Sequence, residues 1–577
     1  MPYLLIDDFR LGVDRTRPQY AGLKGSIWTG INGHISSGGD FEVRKAFSLT
    51  YTNPPGTFGL AATADGIMVF GSVADPGVPS GVTYQRLQHE DNATAMSEIL
   101  DAELYNGKPY VCAKYTDGEI FQFYDGTRIT DWDDGRATLA MQNATGIAVH
   151  LAALVNRDGG GTYTATSVGA VVTVTKTTGN FDTATSVLAG TLNLAGGTDD
   201  QTAVVAYTHP AATATITIAG TFEVGDQFYI NLEGNYFGYF NNPTRRGTVA
   251  KTLQRKVYVG GGPELAFTGV DTATGFTVGT DTGAGQINMS NHIAGSEELI
   301  ALAVYQAKLA VFSRNAVQIW VMTADPVNNY QDQVLQRIGT RARNSAISYH
   351  EHDVFFLAES GIRSIRAQQY LTTAGVEDVG TPIDPYLLEY LLTLTDTQIA
   401  NAVAIVEPTN GSFWLAVGTK IFVYSYFPSK KISAWTWYEP GFEIRHMAVY
   451  GGQVYARSGD KIYRYGGADG ATYESLTATL IMPFLTGDRP AHFKHWTGVD
   501  ASTEGSWELT LLVDPNDVNV EEHIGTVSGV TFPEVGSPHL GHHTHIAPKL
   551  VFTGATAAKV SQLALHYQAA DSRGGTK

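Results

Sequence analysis

The sequence predicts a mainly β protein: a β-propeller of about six blades, with one or more inserted β modules and a C-terminal β domain. Three observations predict it. First, a unit recurs in which two β-patterned strands flank a tight turn. Second, some of these strands are apolar on both faces. In "FWLAVG", Phe413, Leu415 and Val417 point one way and Trp414 and Ala416 the other. A strand buried on both faces must lie in a sheet packed between two other layers, and small antiparallel sheets set around an axis meet that need while protecting their edges. Third, the 577 residues are 43% hydrophobic and only 16% charged, with 63 Gly and 29 Tyr, a strand-rich and turn-rich composition.

Taken in order, residues 1–50 form an N-terminal arm and 51–140 the first blades. Residues 141–292 form the insert, 293–470 the remaining blades and 471–577 the C-terminal domain. The repeat reads "YVCAKYTDGEIFQFYDG" (110–126), "KLAVFSRNAVQIWVMT" (308–323), "DVFFLAESGIRSIRA" (353–367), "FWLAVGTKIFVYSY" (413–426) and "QVYARSGDKIYRYGG" (453–467), with a further copy at 59–88. Its turn residues Gly118, Asn315, Gly361, Gly418 and Gly459 are types that accept the positive φ of a hairpin. The hairpins place blades near 58–90, 108–134, 295–324, 343–367, 403–438 and 443–467. The insert lacks Trp, and its alternating β-branched residues suggest exposed antiparallel strands. Helices are expected at 92–105 and at 384–403, the latter with Asp384 as N-cap and Pro385 at the first helical position. The aromatics of "FWLAVGTKIFVYSYFPSKKISAWTWYEP" (413–440) fall on three successive strands and read as packing between stacked sheets, not as a ligand site on loops.

Cys112 is the one cysteine, which excludes an internal disulfide framework and multi-cysteine metal sites. The N-terminus shows no secretory signal pattern and no run is long enough for a membrane helix, so a soluble protein made in a cytoplasm is expected. The formal charge of −18 disfavours broad nucleic-acid binding, yet suits a conduit along which DNA slides without sticking.

Catalytic patterns are missing from the sequence: no nucleophile elbow, zinc helix or P-loop occurs, and "VGGGPE" and "DGGGTY" read as loops. "YTDGEIFQF" falls short of a sialidase turn, so no catalytic residue and no cofactor is assigned. "PHLGHHTHI" offers His539, His542, His543 and His545 as candidate metal ligands or as independently titrating histidines of a turn. "DWDDGR" supplies Asp131, Asp133 and Asp134 but not the glutamate that closes a calcium loop. "YHEHD" places His350 and His352 on one strand face with Glu351 opposite. "RIGTRARNS" makes Arg337, Arg341 and Arg343 the densest positive patch, a candidate contact for an acidic subunit or for phosphates. Tyr236 and Phe237 in "GNYFGYFNN" sit near an expected turn, as a docking tip or as core.

Three stretches resemble one family, the tail nozzle (tail tubular) and packaged-DNA stabilisation proteins of short-tailed bacteriophages. "GLKGSIWTGINGHISSGGDFEVRKAF" (22–47) resembles their start through Asn32, Gly33, Ile35, Gly38, Gly39, Asp40 and Arg44. "LAVYQAKLAVFSRNAVQIWVMTADP" (302–326) resembles a blade of the family through Val311, Phe312 and Trp320, and the run from 354 through "EDVGTPIDPYLLEYL" resembles a blade followed by a short helix. The resemblance implies a structural virion protein without an active site: one subunit of a ring, usually a hexamer. The arm would dock in the ring. The ring would extend the DNA-ejection channel below an adaptor, retain packaged double-stranded DNA and anchor fibres or a needle. The alternative expectation is a carbohydrate-binding or glycan-processing propeller of a phage tail.

Overall fold

Hairpins repeat along the chain because short runs of β-branched and aromatic residues are separated by residues that accept a left-handed backbone. In the computed structural model Gly118, Gly361, Gly418 and Gly459 all have positive φ. Asn315 does not, and its turn is instead held by Asn315 N–H and Nδ2 donating to Glu297 at 2.9 Å each. The structure describes residues 3–89, 94–129, 144–158, 161–181, 188–192, 202–206, 211–219, 227–232, 235–240, 247–276, 283–292, 297–350, 353–367, 374–487, 490, 492–532 and 541–569.

These hairpins build seven blades, six as separate sheets and one at the end of a larger sheet. Blade 1 spans Phe58–Thr63, Gly66–Gly71 and Val82–Arg86, the last strand running parallel to the second. Blade 2 begins with Met96–Tyr105, blade 3 with Val249–Leu253, blade 4 with Ala301–Tyr305 and blade 5 with Ile347–Tyr349. Blade 6 begins with Val403–Val406 and blade 7 with His446–Tyr450. Each first strand packs against the first strand of the next blade, and the seventh returns to the first, so the ring of blades is closed. The fourth strand of blade 7 is Phe47–Thr52, which pairs antiparallel with Lys461–Tyr465. The start of the chain thus latches to its late hairpins, which holds the ring shut. The fold is a β-propeller.

Several expectations need correction. The additional blade is the four-stranded sheet Val249–Leu253, Lys256–Gly261, Glu264–Phe267 and Gly285–Asn288, inside the range expected for the insert. Its first turn uses Gln254 (φ 49°) and Arg255 (φ 62°), two residues with no turn signature. The helix expected at 92–105 is the first strand of blade 2. Ring packing on both sides overrides the helix propensity of its Ala, Glu and Leu. The helix expected at 384–403 is two short ones, α2 (Asp384–Leu391) and α3 (Asp396–Ala400), split where Thr395 starts α3 with a capping box. Ile383 is the N-cap of α2. Asp384 lies one position inside, buried, accepting from Ile362 N–H at 2.9 Å and Arg363 Nη1 at 2.5 Å.

The insert contains α1 (Ala144–Asp158), a four-stranded and a three-stranded sheet. Ala148, Leu151, Ala152 and Val155 of α1 bury against Val172, Val174, Ile216 and Ile218.

Blade 6 confirms the packing expected of its aromatics. Phe413 pairs with Tyr424, Tyr424 with Trp435, and Phe422 with Trp437. One face joins the cluster that contains Phe355, Leu357 and Ile362 of blade 5, and the other joins Val454, Ala456 and Tyr465 of blade 7. The fourth strand, Ile432–Tyr438, is continued by Thr29–Ile31 of the arm, which pairs in turn with Leu476–Ile481. Blade 6, the arm and the C-terminal domain are therefore one fourteen-stranded sheet. The arm is part of that sheet and is not a free segment: Tyr3–Ile6 and Phe41–Val43 both pair with Lys559–Ala569.

Candidate functional site

Two places gather polar side chains with defined geometry. The first is the joint between the propeller and the C-terminal sheet. Asn32 adopts a left-handed backbone (φ 55°), which Asn tolerates better than most residues. Its Oδ1 accepts from Arg44 Nε at 2.9 Å and Glu439 N–H at 2.8 Å, and its Nδ2 donates to Thr477 O at 2.9 Å. Arg44, buried, also ion-pairs with Glu474 and donates to Lys45 O at 2.9 Å. A Cβ on Gly33 would lie 2.4 Å from the Phe41 ring, so only glycine permits this approach. One residue cluster thus ties arm, blade 6 and C-terminal sheet together.

The second is the axial cavity of the propeller, about 470 Å³, lined by first-strand residues of the blades. Glu103 of blade 2 accepts from Lys251 Nζ of blade 3 at 2.8 Å and from Thr252 Oγ1 at 2.8 Å. Asp101 accepts from the N–H groups of Ala102 (2.9 Å) and Ala250 (2.8 Å), and burial raises its carboxyl to about 6. Asn344 Nδ2 and Arg343 Nη1 reach Leu100 O at 3.2 and 3.5 Å. His446 Nε2 donates to Ile99 O at 3.2 Å, and burial lowers the imidazole to about 4, so the ring is neutral at pH 7. Asp101 and Glu103 are both answered from blade 3, and the cavity is too small for a duplex whose major groove alone is about 12 Å wide. A channel for DNA cannot run along the axis of one propeller.

The structure disperses the residues singled out by sequence. Arg337 is exposed at the end of blade 4. Arg341 bonds Asp396 of α3 at 3.1 Å, and Arg343 turns into the axial cavity, so the three arginines form no common patch. Of the histidines, His539 lies outside the described residues. His543 pairs with Glu522 at 3.0 Å, His545 Nδ1 bonds Thr544 Oγ1 at 2.8 Å, and His542 packs on the ring of His495. Among the described residues no group of three or more His, Cys, Asp or Glu is placed to hold a metal. Asp131, Asp133, Asp134, Glu351 and His352 also lie outside the described residues, and His350 is at a turn with φ 54°, not on a strand. Tyr236 and Phe237 lie on the strand Asn235–Phe240, opposite Asn231 and Ile230, beside the end of the hairpin where Leu232 pairs with Asn235. Cys112 is buried in blade 2. Sequence reasoning missed Asp101, Glu103, Lys251 and His446, which come from three blades and share no local spacing.

No protein-family model and no curated protein matches the chain. Solved structures similar to it include BamB from Moraxella catarrhalis, at 11% identity and TM-score 0.28, covering 72% of this chain and 96% of that one. The Neurospora crassa Pan2 WD40 domain is similar at 13% identity and TM-score 0.23, covering 42% and 72%. The β-propeller domain of Myceliophteria thermophila Cps50 (Swd1) is similar at 7% identity and TM-score 0.24, covering 41% and 65%. At such scores the assignment of the fold rests on the strand pairing described above.

Proposed function

We propose that the chain is a structural subunit of a short-tailed bacteriophage tail: one copy in a nozzle ring, a hexamer, that extends the DNA-ejection channel below the adaptor. The ring helps retain packaged double-stranded DNA and anchors fibres or a needle, and the protein is made in the bacterial host cytoplasm and resides in the virion. The observation that carries this reading is the joint. Asn32, Gly33 and Arg44, three of the residues through which the arm resembles the nozzle family, are the ones that fasten arm, blade 6 and C-terminal sheet to one another. A ring subunit that transmits load between a capsid-side neighbour and a distal fibre needs its parts in one rigid sheet, and the joint supplies that.

The axial cavity constrains the assembly. DNA has to pass between copies and not through one, so the conduit is a surface shared by the subunits. The charge of −18 suits a lumen that does not retain phosphates. Negative-stain microscopy of the purified chain, alone and with its adaptor, tests the reading. Rings, or single copies seated on an adaptor ring, are expected. A monomer that joins no adaptor and no tail overturns the proposal.

A further inference from the structure

Between blades 5 and 6 lies a cleft of about 770 Å³, within the range of small-molecule sites. Its rings are contiguous. Tyr349 lies 4.2 Å from His350 and 4.6 Å from Phe355, His350 lies 5.8 Å from Tyr426, and Tyr424 and Tyr426 stack at 5.8 Å and 13°. Tyr424 bonds Ser433 Oγ at 2.9 Å and Tyr349 donates to Gly411 O at 2.9 Å, so both buried rings are fixed in place. Tyr426 is half-buried and His350 exposed, which leaves ring surface facing the opening. Polar groups interrupt the aromatic wall: Asp353 and Ser364 on blade 5, Ser433 on blade 6, and Asp378 and Thr381 on the connection to α2.

We propose that this cleft binds a neutral saccharide, an activity separate from ring assembly. Three features select that chemistry. Among the described residues no Lys or Arg lines the cleft, which disfavours an anionic ligand. Asp378 is paired with Arg363 at 2.9 Å and Asp353 also has a partner, which weakens the case for a cation. A quaternary ammonium would in any case fill only a small part of the space. Where strands wall the cleft, at Asp353, Phe355, Ser364, Tyr424, Tyr426 and Ser433, the backbone groups are used in the ladders, so an extended peptide finds few main-chain partners there. A pyranose matches what remains. Its C–H face lies on the half-buried Tyr426 ring, which Tyr424 backs, and its hydroxyls donate to acceptors of the Asp and Ser type.

The test uses the full chain and saturation-transfer NMR with four neutral probes: maltotriose, cellotriose, mannotriose and lactose. At least one is expected to bind with Kd of about 1 mM or tighter. Tyr426→Ala and Asp353→Asn each weaken it about tenfold, as read by titration. Tyr463→Ala, in the packing between blades 6 and 7 and outside the cleft lining, leaves it unchanged. Unaltered melting temperatures of the variants keep the loss of binding from being a loss of folding. The proposal is overturned if none of the four probes shows transfer at about ten times that concentration. It is equally overturned if binding survives both cleft variants, or if tetramethylammonium or a proline-rich decapeptide shifts the cleft resonances while the sugars do not. Any of these outcomes leaves ring formation by microscopy unaffected, so the two readings fail separately.

Discussion

The axial cavity and the cleft between blades 5 and 6 are both hollows walled by neighbouring blades, yet they treat polar groups in opposite ways. In the cavity Glu103 is answered by Lys251 and Thr252, and Asp101 by two backbone N–H groups. In the cleft the buried rings are anchored at Ser433 and Gly411, while Tyr426 and His350 turn toward solvent. The difference teaches which hollow is structural. Buried charge is tolerable only when paired, so the axis spends its polar groups on holding blades in register. The cleft sits away from the axis, where the blades diverge, and its aromatic surface is left open.

The largest effect is expected where the cleft wall is fixed to its blade. Gly361 has φ 120° and a Cβ there would lie 2.1 Å from Asp384 Oδ1. Asp384 is the acceptor that holds Ile362 and Arg363. Gly361→Ala is therefore expected to cost about 3 kcal/mol or more in chemical denaturation and to abolish the cleft, with the axial pairs intact. A variant as stable as the wild type would show that the wall is not anchored this way.

The cavity is expected to announce itself through pH. A carboxyl that titrates near 6 in the folded chain and near 3.8 unfolded contributes most stability below 3.8, and that contribution is lost as pH rises through 6. For Asp101 the loss amounts to up to about 3 kcal/mol. His446 runs the other way: its folded value near 4 lies below 6.5, so its cost appears as pH falls from 6.5 toward 4. The two slopes oppose each other between pH 4 and 6. In Asp101→Asn only the histidine slope remains, and the stability of wild type relative to variant should rise by up to about 3 kcal/mol from pH 8 to pH 4. A constant difference across that range would mean that Asp101 is not desolvated.

Much of the blade pattern was legible because its turns carry glycine at positions that need positive φ, as at Gly418 and Gly459. Where a left-handed turn is made by Gln254 and Arg255, or by Gln306 and Ala307, no residue type advertises it. That is why the blade at 249–288 was hidden in the insert. The helix α1 was legible and overlooked, since Ala148, Leu151, Ala152 and Val155 repeat with helical spacing. The reverse error at 92–105 arose because strand bulges at Met96/Glu98 and Ile99/Asp101 disrupt strict alternation. The cavity could not be read at all: Asp101 and Lys251 meet only because blades 2 and 3 are neighbours across the whole insert. The cleft was half legible. Its tyrosines stand out in the sequence, but nothing local says that Tyr426 faces a gap while Phe422, on the same strand, pairs with Trp437.

A smaller effect is expected from Lys251→Met. It leaves Glu103 with Thr252 as its remaining side-chain partner, and the pair is partly buried, between the surface and fully buried limits. About 2 kcal/mol is expected, as read by urea denaturation. Adding Glu103→Gln should restore at least half of it, since the uncompensated charge is then gone. A double variant no better than the single would locate the cost in lost packing of the lysine stem.

The smallest effect on stability is expected at the mouth of the cleft, and its smallness is the point. Tyr424 and Tyr426 lie two residues apart on one strand face and stack on each other, yet Tyr424 is 4% exposed and Tyr426 half-buried. Truncating a fully buried aromatic costs about 3–5 kcal/mol, because transfer and cavity terms add. At a mouth already open to water, little new cavity is made and the lost apolar contact is partial. Tyr424→Ala should therefore cost about 3 kcal/mol and Tyr426→Ala less than about 1 kcal/mol, compared in parallel thermal melts. Equal losses would mean that Tyr426 is core and that the cleft is closed in solution. A loss confined to Tyr424 leaves Tyr426 as a ring the fold does not need for its own stability, held beside Asp353 at the mouth of an otherwise packed interface.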